Sequence, residues 1–259
     1  EKHPTTLGKS NSFAQASTLE MYDPDRARGV KFEGNKVDWN EYLKFAKSLN
    51  DGNGKGLAVL MQESSSPTIK SIQEDFKKNL PNADWVVYES VNNENLYDGI
   101  ELAFSKRLQP LYRLEKAQII VSLGSDFLGV DDNNIYHTRK FAQNRNIVDE
   151  NSTMNRLYVA ESSISSTGSS ADHRLNIPQY EMENLLAELA YELKQLGLRI
   201  EAKKVKSSNN LWVKAAAKDL FDGRGESIII GGSSLSKEFH QLIACLLYTS
   251  PSPRDVSRS

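Results

Sequence analysis

The sequence predicts an α/β fold: an open, mainly parallel sheet with helices on both faces. Two observations carry that expectation. Short, continuously apolar runs recur at residues 57–61, 85–88, 117–123, 157–160 and 228–230, with helical periodicity between them. Several of these runs also empty directly into loops of Ser, Thr and Gly. Open α/β sheets build ligand sites in such loops, at the carboxyl ends of their strands.

The elements follow in order. Residues 1–17 are polar and aperiodic, and read as an extended or disordered arm. Pro24 in Tyr22-Asp23-Pro24-Asp25-Arg26 sets a turn, because it fixes its own φ and keeps Asp23 out of the helical region. Asp38, followed by Glu41 at the capping-box position and by Trp39, Tyr42, Leu43, Phe45, Ala46 and Leu49, predicts an N-capped amphipathic helix. The chain then alternates. A strand at 57–61 precedes a helix through Ile69, Ile72, Phe76 and Leu80, and a strand at 85–88 precedes a helix near 96–104. The strand 117–123 is followed by a helix near 136–144, and the strand 157–160 by a serine-rich loop. Met182, Leu185, Leu186, Leu189, Leu193 and Leu196 mark one face of a helix over 179–196, which Gly197 should stop. A helix at 211–221, the strand 228–230 and a helix at 236–247 complete the pattern.

Bulk composition narrows the function. The chain has 259 residues, 39% hydrophobic and 25% charged, enough for one large or two small cores. Lys and Arg number 32 against 34 Asp and Glu, so no basic surplus argues for nucleic acid. No run is long enough to span a bilayer. Cys245 is the single cysteine, so this region can form neither an internal disulfide nor a cluster held by about four thiolates. The histidines, His3, His137, His173 and His240, lack metal-ligand spacing, and no metal site is expected. Glu1 stands where Met would, with no apolar leader behind it, which reads as a truncated or processed start.

The candidate site lies in four loops of shared composition. Glu63 to Ser66 supplies Ser64 and Ser65; Gly124, Ser125 and Asp126 form the second loop. The third, Glu161 to Ser170, supplies Ser162, Ser163, Thr167 and Gly168, and the fourth supplies Gly231 and Gly232 ahead of Ser233-Ser234. Small residues let backbone amides approach a ligand, and helix N-termini favour anions. Four such loops on one edge suggest a nucleotide-like pocket, although none matches a dinucleotide fingerprint or a P-loop. Asp172-His173-Arg174 could be an acid/base cluster, but sequence neighbours seldom converge on one substrate atom, so a salt bridge or loop anchor is the expected role. Asp126 is expected to cap the next element, the more common outcome, with contact to a ligand hydroxyl as the alternative. Lys203-Lys204-Val205-Lys206 reads as a solvated basic face. No residue is assigned to catalysis.

Three stretches carry a family resemblance: Tyr22 to Arg26, Ile120 to Leu128, and Met154 to Val159 with its continuation through Glu161, Thr167-Gly168 and Ala171-Asp172-His173-Arg174. They resemble the large iron–sulfur subunit of alternative complex III, a bacterial quinol oxidoreductase, in its molybdopterin-oxidoreductase-like half. The resemblance spans roughly residues 17–245, with an 18–245 α/β region that could form two lobes. It implies a cofactor-less scaffold in which the four loops outline a vestigial pocket. It also implies iron–sulfur clusters in a further C-terminal half, haem and integral membrane subunits as partners, and a peripheral place on the periplasmic side of the inner membrane. On that reading this region alone is not catalytic. Residues 246–259, Leu246 to Ser259, resemble a translated adapter read-through and are expected to be non-native. An active molybdopterin-dependent oxidoreductase and a non-redox small-ligand-binding module remain the alternatives.

Overall fold

A computed structural model of the chain describes residue 6 and residues 8–49, 52–64, 66–150, 152–205, 210–249 and 254–256. The chain divides into two compact units: residues 11–92, and residues 93–259 together with 1–10.

The smaller unit starts with α1 (Ser12–Ala16), within the stretch expected to be extended. The side chain of Asn11 accepts a hydrogen bond from the Ala14 amide at 2.8 Å, an N-cap that outweighs the weak propensity of the segment. An antiparallel hairpin follows, β1 (Val30–Phe32) and β2 (Asn35–Val37), turning through Glu33 and Gly34, both at positive φ as a tight hairpin turn requires. α2 (Trp39–Ser48) is capped by Asp38, which accepts from the Glu41 amide, as the spacing predicts. β3 (Ala58–Met61), α3 (Pro67–Asn79) and β4 (Asp84–Val87) form one β-α-β unit, with the strands paired parallel. Leu80 is the one buried hydrophobic side chain among the described residues of this unit. β3, a continuously apolar run in the sequence, is therefore half exposed, with Leu60 at 71%.

The larger unit holds the core. Its elements are α4 (Glu94–Phe104), β5 (Pro110–Tyr112), β6 (Ile119–Leu123), α5 (Asn134–Gln143), β7 (Arg156–Glu161), α6 (Ser166–Ser169), β8 (His173–Asn176), α7 (Met182–Gln195), α8 (Leu211–Asp222), β9 (Ser227–Gly231) and α9 (Lys237–Thr249). β10 (Arg254–Val256) pairs antiparallel with β5. The main sheet runs β8-β7-β6-β9, all parallel. Successive strand residues point to opposite faces, and Leu157, Tyr158, Val159 and Ala160 are all buried, so helices cover both sides. Tyr158 and Ile229 share the face occupied by α7, α8 and α9, whereas Ile230 meets the cavity wall that includes His137 of α5.

Each covering helix follows from its sequence. α7 buries Met182, Leu185, Leu186, Leu189 and Leu193, a stripe at helical spacing, and Gly197 at φ +106° lets the chain leave it. α9 buries Leu246 and Leu247 in the same core. No helix among the described residues is long and apolar enough to cross a membrane.

The two units predict unequal costs for the same Leu→Ala truncation. Leu186→Ala, in the core, should cost about 3 kcal/mol in urea unfolding, and Leu60→Ala, on an exposed strand face, less than about 1 kcal/mol. Equal losses would mean that the smaller unit packs a core after all.

Candidate functional site

The chain runs β6, β7, β8 outward in one direction, then crosses back to place β9 on the other side of β6. The order reverses between β6 and β9, the crevice where open α/β sheets bind ligands. Three of the four small-residue loops lie at this carboxyl edge. The loop containing Ser64 follows β3 and belongs to the other unit, because β3 pairs with β4 and not with the main sheet. Ser65 lies outside the described residues.

Within the edge the loops hold one another. Asp126 Oδ1 accepts from the Thr167 amide at 2.9 Å and from the Thr167 hydroxyl at 2.8 Å, and the same hydroxyl accepts from the Leu128 amide at 3.1 Å. Asp126 thus joins the loops after β6 and β7, besides accepting from the Val130 amide of its own turn. Buried Glu161 accepts from the Ser165 hydroxyl at 2.6 Å and from Arg174 Nε at 2.5 Å. On the other side, the Gly232 amide donates to the Leu123 carbonyl at 2.9 Å, and Gln179 donates to the Ser234 hydroxyl at 2.8 Å.

The glycines serve this closure. A Cβ on Gly232 would stand 2.1 Å from the Gly124 carbonyl oxygen, and one on Gly168 would stand 1.7 Å from the Glu161 carboxylate. At Gly231 it would meet Ile243, Leu235 and His240. The spaces these residues leave open are filled by the protein's own atoms. Ser162 and Ser163 sit exposed at the rim, where the Ser162 carbonyl accepts from the Asn176 side chain.

A cavity of about 50 Å³ remains between the β6 and β9 loops, lined among others by Ser125, Asp131, His137, Ile230, Gly231 and Ser233. It has room for a few waters, an order of magnitude below the several hundred Å³ of a cofactor pocket. Ser125 donates to Asp131 at 2.6 Å. Burial pushes the Asp131 carboxyl up, the Ser125 bond opposes that, and the neighbouring Asp126 charge adds to the rise. His137 is buried between Tyr112 and Tyr136, and neither ring nitrogen has a hydrogen-bond partner among the described residues. Desolvation lowers its pKa to about 4, so the ring is neutral at pH 7.

Asp172, His173 and Arg174 do not converge. They lead into β8, a regular strand where the sequence suggests only the end of a loop, so their side chains alternate across the sheet. Asp172 forms a bidentate pair with Arg145 at 2.6 and 3.0 Å and accepts from the Leu157 amide at 2.7 Å. Burial alone would raise its carboxyl; the Arg145 bonds and the Leu157 amide outweigh that and hold it low. His173 stacks on Tyr158 with ring centroids 4.6 Å apart, and Arg174 reaches Glu161. Tyr158 also donates to Asp219 at 2.7 Å, and its phenol is pushed up to about 12 by burial and by that carboxylate. Composition does not single out Asp131, His137 or the Tyr158–Asp219 pair. The acidic run Asp131-Asp132 beside the second loop is the one local signal for the first. His240 is buried on α9, Lys203 to Val205 lie outside regular structure, and Lys206 lies outside the described residues.

Sheet, crossovers and latched edge define an α/β protein of the open parallel-sheet class. No family model matches the sequence, and no curated protein is significantly similar to it. Its fold is shared with acetylene hydratase from Pelobacter acetylenicus, at a TM-score of 0.59 and 12% identity over 99% of this chain and 40% of that one. The formyltransferase/hydrolase complex from Methylorubrum extorquens, in complex with methylofuran, is similar over 85% of this chain and 56% of that chain, at 12% identity. Its TM-score of 0.49 is too low to carry an argument about the fold. The chain therefore spans less than two thirds of the length of either of these solved proteins.

Two outcomes test this geometry. Gly232→Ala should cost more than about 2 kcal/mol, because backbone and not a flexible side chain occupies the space; a neutral result would mean the two loops stand apart. For His137, the folded pKa lies below the ordinary 6.5, so its contribution is complete above pH 6.5 and lost as pH falls toward about 4. The loss amounts to about 3 kcal/mol. His137→Phe should flatten stability against pH across that window in chemical denaturation; an unchanged slope would show that the ring is not held neutral.

Proposed function

We propose that this chain is the molybdopterin-oxidoreductase-like part of a large iron–sulfur subunit of the alternative complex III type. In that role it is a scaffold within a membrane-associated quinol oxidoreductase and takes no direct part in the chemistry. The carrying observation is the latched carboxyl edge. The crevice at the sheet's reversal point is closed by Asp126–Thr167 and by Gly232 against Gly124, and leaves about 50 Å³. A remaining space of about 50 Å³, against the several hundred Å³ of a cofactor pocket, supports a reading in which no pterin dinucleotide is held here. Nor do the residues here fit an iron–sulfur cluster, since Cys245 is the only thiol and no group of three or more metal-ligating side chains exists among the described residues. Clusters, haem and quinol then belong to other parts of the polypeptide and to partner subunits. The three sequence stretches and the shared α/β fold support the same reading, as does the smaller unit, whose apolar residues lack a core of their own. A periplasmic, peripheral location belongs to this proposal.

The test is cofactor analysis of the full-length protein purified with whatever co-isolates from its native membranes. The expected result is iron and acid-labile sulfide without stoichiometric molybdenum, tungsten or pterin, together with haem-bearing partner subunits. Stoichiometric metal with extractable pterin would make the chain part of an active enzyme, and a small molecule retained without metal or partners would make it a binding module.

A further inference from the structure

Between Arg26 and Leu49 the chain forms a hairpin and a helix, yet none of its side chains is buried among the described residues. Phe32, Trp39, Tyr42 and Phe45 are exposed at 60%, 61%, 42% and 56%. A two-stranded hairpin and a ten-residue helix are marginal by themselves, so such a segment needs a surface to lie on. Three features indicate which kind.

Along α2, Trp39, Tyr42, Leu43 and Ala46 recur at helical spacing, with Phe45 and Leu49 widening the stripe, while Asn40, Lys44, Lys47 and Ser48 take the opposite side. Trp39 and Tyr42 pack with ring centroids 4.9 Å apart, an amphipathic aromatic pair of the kind enriched at the membrane–water boundary. The segment is also basic. Arg26, Arg28, Lys31, Lys36, Lys44 and Lys47 stand against Glu33, Asp38 and Glu41, a net of +3 within a chain whose net is -2. Of these, Lys44 is paired with Glu41. Finally, Lys31 and Lys36 face each other directly across the hairpin, a like-charge pair that costs stability unless an anionic partner sits over it.

We infer that residues 26–49 dock on an anionic phospholipid surface, with the aromatic stripe of α2 lying in the interface and the hairpin lysines reaching the headgroups. An apolar protein groove would account for the stripe but not for the facing lysines; a lipid surface accounts for both. This inference stands independently of the scaffold reading.

The experiment is co-sedimentation of the whole chain with vesicles of phosphatidylcholine containing about 30% phosphatidylglycerol, against vesicles of phosphatidylcholine alone. Binding should require the anionic lipid and weaken steeply between about 50 and 500 mM salt. Lys31→Gln and Lys36→Gln should each weaken it about fivefold, at a melting temperature no lower than the parent's, because each relieves the like-charge pair at an exposed position. Trp39→Ser with Phe45→Ser should abolish it. Equal binding to neutral vesicles, or none to either, would overturn the inference. So would a concentration-dependent dimer that the Trp39→Ser, Phe45→Ser variant dissolves, because the face would then belong to a second copy of the chain.

Discussion

The carboxylate of Asp126 holds two loops of the sheet's ligand-bearing edge to one another, and much of what this edge can and cannot do depends on that tie. A carboxylate accepting a backbone amide and a hydroxyl from a neighbouring loop fixes both loops at hydrogen-bond distance. Once they are fixed, the chain at Gly168 passes close against the Glu161 carboxylate, and a Cβ there would push that carboxylate aside. Glu161 in turn is satisfied by Ser165 and Arg174, which locks the one-turn α6 over the end of β7. Asp126, Thr167, Glu161 and Ser165, polar groups that could have met a ligand, hold the edge closed instead.

The other end of the sheet is tied by the same physical means with different partners. Asp172 bridges Arg145 and the Leu157 amide near the start of β7, and Asp219 gathers Tyr158 and Arg156. Partly buried carboxylates bonded to guanidinium and amide donors fix register and orientation more than they add stability. The larger unit is thus a doubly covered sheet pinned at both ends. The smaller unit is the reverse: regular elements with apolar faces and, among its described residues, a single buried hydrophobic side chain.

The sheet is legible in the sequence because its strands are buried on both faces and so appear as unbroken apolar runs, and α7 because its stripe is long and ends in glycine. Asp38 and Glu41 announce α2 through a cap geometry that is local in sequence. What could not be read is set by distant contacts. β8 is a short, polar edge strand without periodicity, so His173 and Arg174 look like loop residues. The separation of β3 and β4 from the main sheet depends on pairing, which no local pattern encodes. The four loops share a composition that suits a ligand and suits close backbone packing equally. Only the positions of Gly124 against Gly232, and of Asp126 against Thr167, distinguish these outcomes.

Native-state hydrogen exchange at the Thr167, Leu128 and Gly232 amides tests the latched edge most directly. If the loops are tied as described, these amides exchange only through the opening that also exposes the β6 and β7 amides, with matching free energies and matching denaturant dependence. Fast, denaturant-independent exchange at Thr167 and Gly232 while Val121 and Val159 stay protected would contradict it. The edge would then be open in solution, and the crevice free to take a cofactor.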